Sequence, residues 1–139
     1  MKIVLDTSVL VAAARSRQGA SHRLLSMLPS TRFDVALSVS LYMEWIAVLT
    51  RPEHLPPGMT HADAEAFLRY LASICALQDI HFLWRPFLRD ANDDMVLECA
   101  AASGSRHVVT HNVRDFAGIH ELGVHAITPA DFLRQLDRT

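Results

Sequence analysis

Apolar residues along this chain fall into two kinds of grouping. Short apolar runs closed by a polar residue or a turn fit strands buried on both faces. Longer stretches with apolar residues three and four apart fit helices packed on one side. The first run, Lys2–Leu5, meets Asp6 at once. Phe33–Leu37, Ile80–Leu83, His107–Thr110 and Gly123–Ile127 are the further strand candidates. Helices are expected over Val9–Ala14, with Thr7 or Ser8 as cap, and over Ala20–Leu28, stopped by Pro29. The next runs from Ser38 or Ser40 through Leu41, Trp45, Val48 and Leu49. Thr60 opens another that reaches about Ala76. An Ala-rich helix, Asp93–Ser103, stops at Gly104, and Pro129–Leu136 closes the chain with proline in a first turn. Arg51–Gly58, which is rich in proline, and Pro86–Asn92 read as loops.

This alternation of strands and helices predicts an α/β fold, a parallel sheet covered on both faces. At 139 residues the chain suits one domain, 1–139, and it shows no repeat or linker. Trp45, Trp84 and Phe116 read as core aromatics rather than stacking platforms for bases.

Composition narrows the function. Half the residues are hydrophobic and 20% are charged, which excludes a disordered chain. No apolar run approaches the ~20 residues that span a bilayer, and the N-terminal run is too short for a signal peptide. The expectation is a cytoplasmic protein without a membrane. Cys75 and Cys99 lack CxxC spacing and read as reduced core residues. A net charge of −2 argues against bulk electrostatic binding of duplex DNA. Lys2 is the only lysine, and the other basic side chains are arginines, which grip phosphate through two parallel hydrogen bonds.

In an open parallel sheet, functional groups collect outside the carboxyl ends of the strands. Asp6 stands there after the first strand. Ser38 follows the second, with Glu44 further along the next helix. Asp93 and Asp94 open the Ala-rich helix. Thr110, His111 and Asn112 follow the fourth strand, with Asp115 just beyond. Carboxylates converging at this edge repel one another unless a cation joins them or some are protonated. Mg²⁺ takes hard oxygen ligands and only one or two carboxylates directly, so Asp6, Glu44, Asp93 and Asp115 suit a mixed site. Such a site hydrolyses a phosphodiester without a protein nucleophile. Taken alone, Asp6 reads equally as a helix cap. His107 and His111 are separated by about 13 Å on a strand and cannot share an ion. His111, Arg51 and Arg114 are candidate phosphate contacts.

Four segments together resemble the PIN domain family, and within it the VapC-type toxins of bacterial toxin–antitoxin pairs. They are Ile3-Val4-Leu5-Asp6-Thr7-Ser8; Ser38–Glu44 with Trp45 and Val48-Leu49-Thr50-Arg51; Asp90-Ala91-Asn92-Asp93-Asp94; and Val108-Val109-Thr110-His111-Asn112-Val113-Arg114-Asp115-Phe116. Each is weak alone; their order and spacing over nearly the whole chain carry the resemblance. It implies a three-layer sandwich with a parallel five-stranded sheet between helices. It implies an endoribonuclease dependent on Mg²⁺ or Mn²⁺, with Asp6, Glu44, Asp93 and Asp115 as catalytic and metal-binding acids. Thr7 or Ser8, Asp94 and Asn112 take supporting or substrate-facing places. In the third segment Asp90, Asp93 and Asp94 all compete, and the family's usual distance to Gly104 favours Asp93. The expected partners are an RNA substrate, a cognate antitoxin protein and a second copy in a homodimer. In relatives, helices matching Ala20–Leu28 and Ala62–Ala76 build the antitoxin groove.

Three rivals stand beside this reading. A catalytically silent PIN-like module would bind RNA or protein without cutting. A receiver-type signalling domain needs paired acids after the first strand and a late lysine, and this chain has neither. A structure-specific DNA nuclease needs clamp elements that so short a chain lacks.

Overall fold

In the computed structural model, residues 1–81, 88 and 90–138 are described. The strands are β1 (Lys2–Leu5), β2 (Asp34–Leu37), β3 (Ala76–Leu77), β4 (His107–Val109) and β5 (His125–Ile127). The helices are α1 (Thr7–Arg15), α2 (Ala20–Ser26), α3 (Val39–Leu49), α4 (His61–Ser73), α5 (Ala91–Ser103) and α6 (Pro129–Asp137). All strand pairs are parallel, in the order β3-β2-β1-β4-β5. Helices flank this five-stranded sheet, which is the architecture expected of the sequence.

The order places β1 in the middle. The chain builds outward through β2 and β3, then returns to the other side of β1 with β4 and β5. The direction of building therefore reverses between β1 and β4, and a crevice opens at their carboxyl ends. The register Leu5↔Val109 sets Asp6 beside Thr110 at that edge. The backbone N–H of Asp6 extends the ladder by donating to the Val109 carbonyl at 2.9 Å.

The core joins the strands to all six helices, with Leu24 from α2 and Leu68 and Leu71 from α4 beside residues of α1, α3, α5 and α6. Ile3, Val4 and Leu5 are fully buried, as a central parallel strand requires. Helix α5 contacts β1, β2, β4 and α3. Its residues Val96–Ala100 are all buried, so it lies enclosed rather than on the surface. Trp45 and Phe116 are buried as expected, while Trp84 lies outside the described residues. Cys75 and Cys99 are free thiols. Burial pushes them up to about 12 and about 11, so both are unreactive core residues.

Several boundaries differ from the reading of the sequence. Asp6, not Thr7 or Ser8, occupies the capping position of α1. Ser38 is the cap of α3, its Oγ accepting from the Leu41 N–H. Helix α2 stops at Ser26, before Leu28 and Pro29. Helix α5 starts at Ala91, inside the expected loop. The third strand is Ala76–Leu77, where a helix end was expected. Apolar residues Leu68, Leu71 and Cys75 keep a helical spacing up to that point, which hides the switch to extended chain. Pairing with Ala36 and Leu37 of β2 decides the conformation instead. Of the strand expected at Ile80–Leu83, Ile80 is not in a strand, and Phe82 and Leu83 lie outside the described residues.

Candidate functional site

Asp6 leaves β1 with extended backbone and begins α1, but its side chain makes no capping bond. It turns instead toward β4. Its Oδ2 accepts hydrogen bonds from Ser8 Oγ and from Thr110 Oγ1, each at 2.7 Å. Thr110 is fully buried, and its Oγ1 also accepts the backbone N–H of Asn112 at 2.9 Å. Ser8 Oγ in turn accepts the backbone N–H of His111 at 3.1 Å. One carboxylate oxygen is thus fixed by two hydroxyls, each tied to the β4 end, and no described hydrogen bond falls on Oδ1.

The α5 acids divide by role. Asp90 is the N-cap, its Oδ1 accepting from the Asn92 N–H at 2.9 Å. Asp94 is 1% exposed, and its Oδ1 accepts the Leu88 N–H at 2.8 Å, so it anchors the chain entering the helix. Asp93 lies between them, half-buried. Its carboxyl is pushed up to about 7, first by burial and then by the charges of Asp6, Asp90, Asp115 and Asp94. Asp115 sits exposed in a short 3-10 turn, Val113–Phe116, whose start is the Asn112 carbonyl accepting the Asp115 N–H at 2.9 Å. Asp6, Asp93 and Asp115 therefore share one electrostatic neighbourhood although they come from three separate segments.

Glu44 stands apart from that group. It projects from α3 onto an adjoining open groove of about 580 Å³, shared with Thr7, Ser8, Arg15, Val48 and His111. Thr7 is buried at the start of α1. Asn112 is exposed and joins the network through its backbone. The acids do not form a closed cage: among the described residues no three His, Cys, Asp or Glu side chains are close enough to hold one ion. The donor set fits a hard divalent cation that keeps several waters and touches few carboxylates. The raised Asp93 carboxyl is the observation in favour: burial raises it first, and the nearby charges of Asp6, Asp90, Asp115 and Asp94 raise it further.

Reading the sequence placed Thr110 at this edge but gave it no role. A threonine ending a strand is common; the signal for its role lay in pairing β1 with β4 in register, which sets residues 6 and 110 side by side.

A family model described as PIN domain matches residues 2–114. Solved structures share the fold. VapBC-1 from nontypeable Haemophilus influenzae is 16% identical with a TM-score of 0.65, over 94% of this chain and 99% of that one. VapBC2 from Rickettsia felis, bound to a DNA fragment from its promoter, is 16% identical at a TM-score of 0.64, over 92% and 98%. VapC20 of Mycobacterium tuberculosis, a Sarcin-Ricin loop cleaving toxin, is 16% identical at 0.60, over 91% and 99%. No curated protein matches.

Proposed function

The chain belongs to the PIN domain family, and from that premise we propose that it is an endoribonuclease dependent on Mg²⁺ or Mn²⁺, the toxin of a toxin–antitoxin pair. The observation that carries the proposal is the gathering of Asp6 and Asp115 around a half-buried Asp93, whose carboxyl is pushed up to about 7 first by burial and then by the neighbouring acids. A protein gains nothing in stability from like charges placed together; a site that receives a cation needs them. Asp6, Asp93 and Asp115 are the residues that would hold the ion, with Glu44 facing it or its waters from α3. When bound, the cation supplies positive charge that acidifies a water and offsets charge building on the phosphate.

The chain's own residues do the rest. Ser8 and Thr110 fix Oδ2 of Asp6, so its other oxygen keeps one direction. Asp94 and Asp90 hold the entry of α5, which sets Asp93. The Asn112 carbonyl closes the turn that carries Asp115. Arg15 and His111 line the groove beside these acids and bring positive or donor groups to an RNA backbone. Arg51 and Arg114 are exposed and available for the same task.

The partner proteins belong to the same proposal. A largely apolar cavity of about 310 Å³ lies among α1, α2 and α4, lined by Leu10, Leu25, Met59 and Phe67. This is the face on which an antitoxin segment would sit. A homodimer is part of the expectation, and equilibrium sedimentation tests it. Among the described residues no helix is long and apolar enough to cross a membrane.

The direct test is cleavage of RNA by the purified protein with Mg²⁺ or Mn²⁺. Asp6→Asn is expected to reduce cleavage to background. Undiminished cleavage by that variant would remove Asp6 from the mechanism. Calorimetric titration with Mn²⁺ separates the enzyme from a catalytically silent module: absence of binding favours the silent one.

A further inference from the structure

We infer that His111 is a substrate-contacting residue that holds a phosphate of single-stranded RNA beside the acidic cluster, and that Ser21 of α2 sets its ring. The inference rests on the ribonuclease reading above and adds the side chain that positions the substrate.

Three observations carry it. First, Ser21 Oγ lies 2.6 Å from His111 Nε2, although the two residues are 90 positions apart. Ser21 is 2% exposed, whereas His111 is exposed. A buried hydroxyl bonded to an exposed ring fixes the direction of a side chain that water would otherwise leave free. Second, the backbone N–H of His111 donates to Ser8 Oγ, which donates to Asp6 Oδ2. The ring is therefore held in a fixed relation to the carboxylate of the proposed centre. Third, His111 lines the open groove with Arg15, Ser8 and Glu44.

The chemistry favours phosphate. Where Ser21 donates to Nε2, the proton of the neutral ring sits on Nδ1; where Nε2 donates to Ser21, Nδ1 is a donor only in the charged ring. Among the described residues no hydrogen bond falls on Nδ1, which leaves that ring nitrogen to meet a ligand. Arg15 brings a permanent positive charge to the same groove. Glu44 is the one carboxylate among the described residues that line the groove. Donor, cation and hydroxyls together match the phosphate of a nucleotide next to the scissile bond.

The experiment combines equilibrium binding of a labelled single-stranded RNA oligonucleotide with steady-state cleavage and Mn²⁺ titration. His111→Ala is expected to weaken RNA binding and raise KM by about tenfold or more, with kcat changed much less. Mn²⁺ affinity should not move, because Asp6, Asp93 and Asp115 remain. Ser21→Ala should give a smaller rise in KM, and Ser21→Thr, which keeps the hydroxyl, should restore it. His111→Gln keeps a group at the Nε2 position and should behave like His111→Ala. His111→Asn keeps a donor at the Nδ1 position and should recover part of the loss. Wild-type binding and KM in His111→Ala, or full recovery in His111→Gln, overturn the inference. So does a fall in Mn²⁺ affinity parallel to the loss of RNA binding, which places His111 in the acidic cluster instead. Circular dichroism of each variant separates these outcomes from unfolding. RNA binding that depends on His111 without cleavage by the wild type leaves this inference standing and removes the ribonuclease reading. Failure of the wild type to bind RNA at all removes both.

Discussion

Both described hydrogen bonds on the Asp6 side chain fall on one oxygen, and this asymmetry is the most informative detail at the scale of single residues. A carboxylate serving as a helix cap would turn toward the first amides of α1. This one is held away from them by hydroxyls from its own helix and from the neighbouring strand. Thr110 is the tighter constraint, because it is fully buried and its Oγ1 has a partner on each side. Thr110→Val keeps the shape but removes the donor to Asp6 and the acceptor for Asn112. We expect a loss of roughly 10–100-fold in Mn²⁺ affinity or cleavage, as for other residues that support a ligand. Stability should fall by about 1 kcal/mol, since the hydrogen bonds made by a buried hydroxyl are lost. Urea denaturation and Mn²⁺-dependent kinetics on the same preparation check both; wild-type kinetics in Thr110→Val would show that Asp6 needs no support. Asp6 itself was legible in the sequence from its place after an apolar run. Thr110 was legible as a polar residue at the same edge, but its bond to Asp6 was not, because that partner lies more than a hundred positions away.

At the scale of elements, legibility followed how much of each element is decided locally. Helix α4 begins at a capping box in which Thr60 and Asp63 bond each other's backbone amides. Helix α5 ends at Gly104, whose positive φ of 67° suits glycine. Such signals are local and could be read directly. Strand β3 has no local signal, since its two residues continue a helical spacing and only β2 makes them a strand. Among Asp90, Asp93 and Asp94 the local pattern alone left the choice open, because one residue of helix phase decides which carboxyl faces the other acids; only the family's usual distance to Gly104 favoured Asp93. Strand β4 offers a test of packing. His107 is 6% exposed, its ring 6.0 Å from the ring of Phe132 on α6, and its Nδ1 has no partner among the described residues. Burial holds its pKa below the usual 6.5, and the charges of His125 and Arg106 add to this, while a hydrogen bond with the His125 backbone opposes it. The unfolded chain therefore takes a proton more readily than the folded one. The neutral ring's contribution to stability is complete above pH 6.5 and is lost as pH falls below it. His107→Leu should flatten the acid side of a plot of Tm against pH below about 6.5. An unchanged acid limb would mean that His107 is protonated in place without cost.

For the whole molecule, the same topology that creates a crevice also sets a conflict between stability and function. The sheet reverses its direction of growth between β1 and β4, and that point gathers acids from β1, α5 and the segment after β4. Folding without a cation therefore brings like charges together. The sign follows from Asp93, whose carboxyl is raised from 3.8 to about 7 in the folded protein. Below pH 3.8 both states bind the proton and the group costs nothing. Between 3.8 and about 7 the unfolded state loses the proton while the folded state keeps it, so stability falls as pH rises through this window. Asp93 is half-exposed, and solvent screening makes the effect smaller than its shift alone implies. Three outcomes are expected for the metal-free protein. Asp93→Asn should raise Tm at pH 8 and leave it nearly unchanged at pH 4, while abolishing cleavage. Mn²⁺ should raise the wild-type Tm more at pH 8 than at pH 5, because the ion competes with the proton for Asp93. The same addition should raise the Tm of Asp93→Asn much less. Thermal melts at these pH values, with and without Mn²⁺, decide the matter. A stabilisation by Mn²⁺ that is equal in both proteins would place the ion elsewhere. A lower Tm for Asp93→Asn at pH 8 would show that this carboxylate is held by favourable contacts rather than crowded by its neighbours.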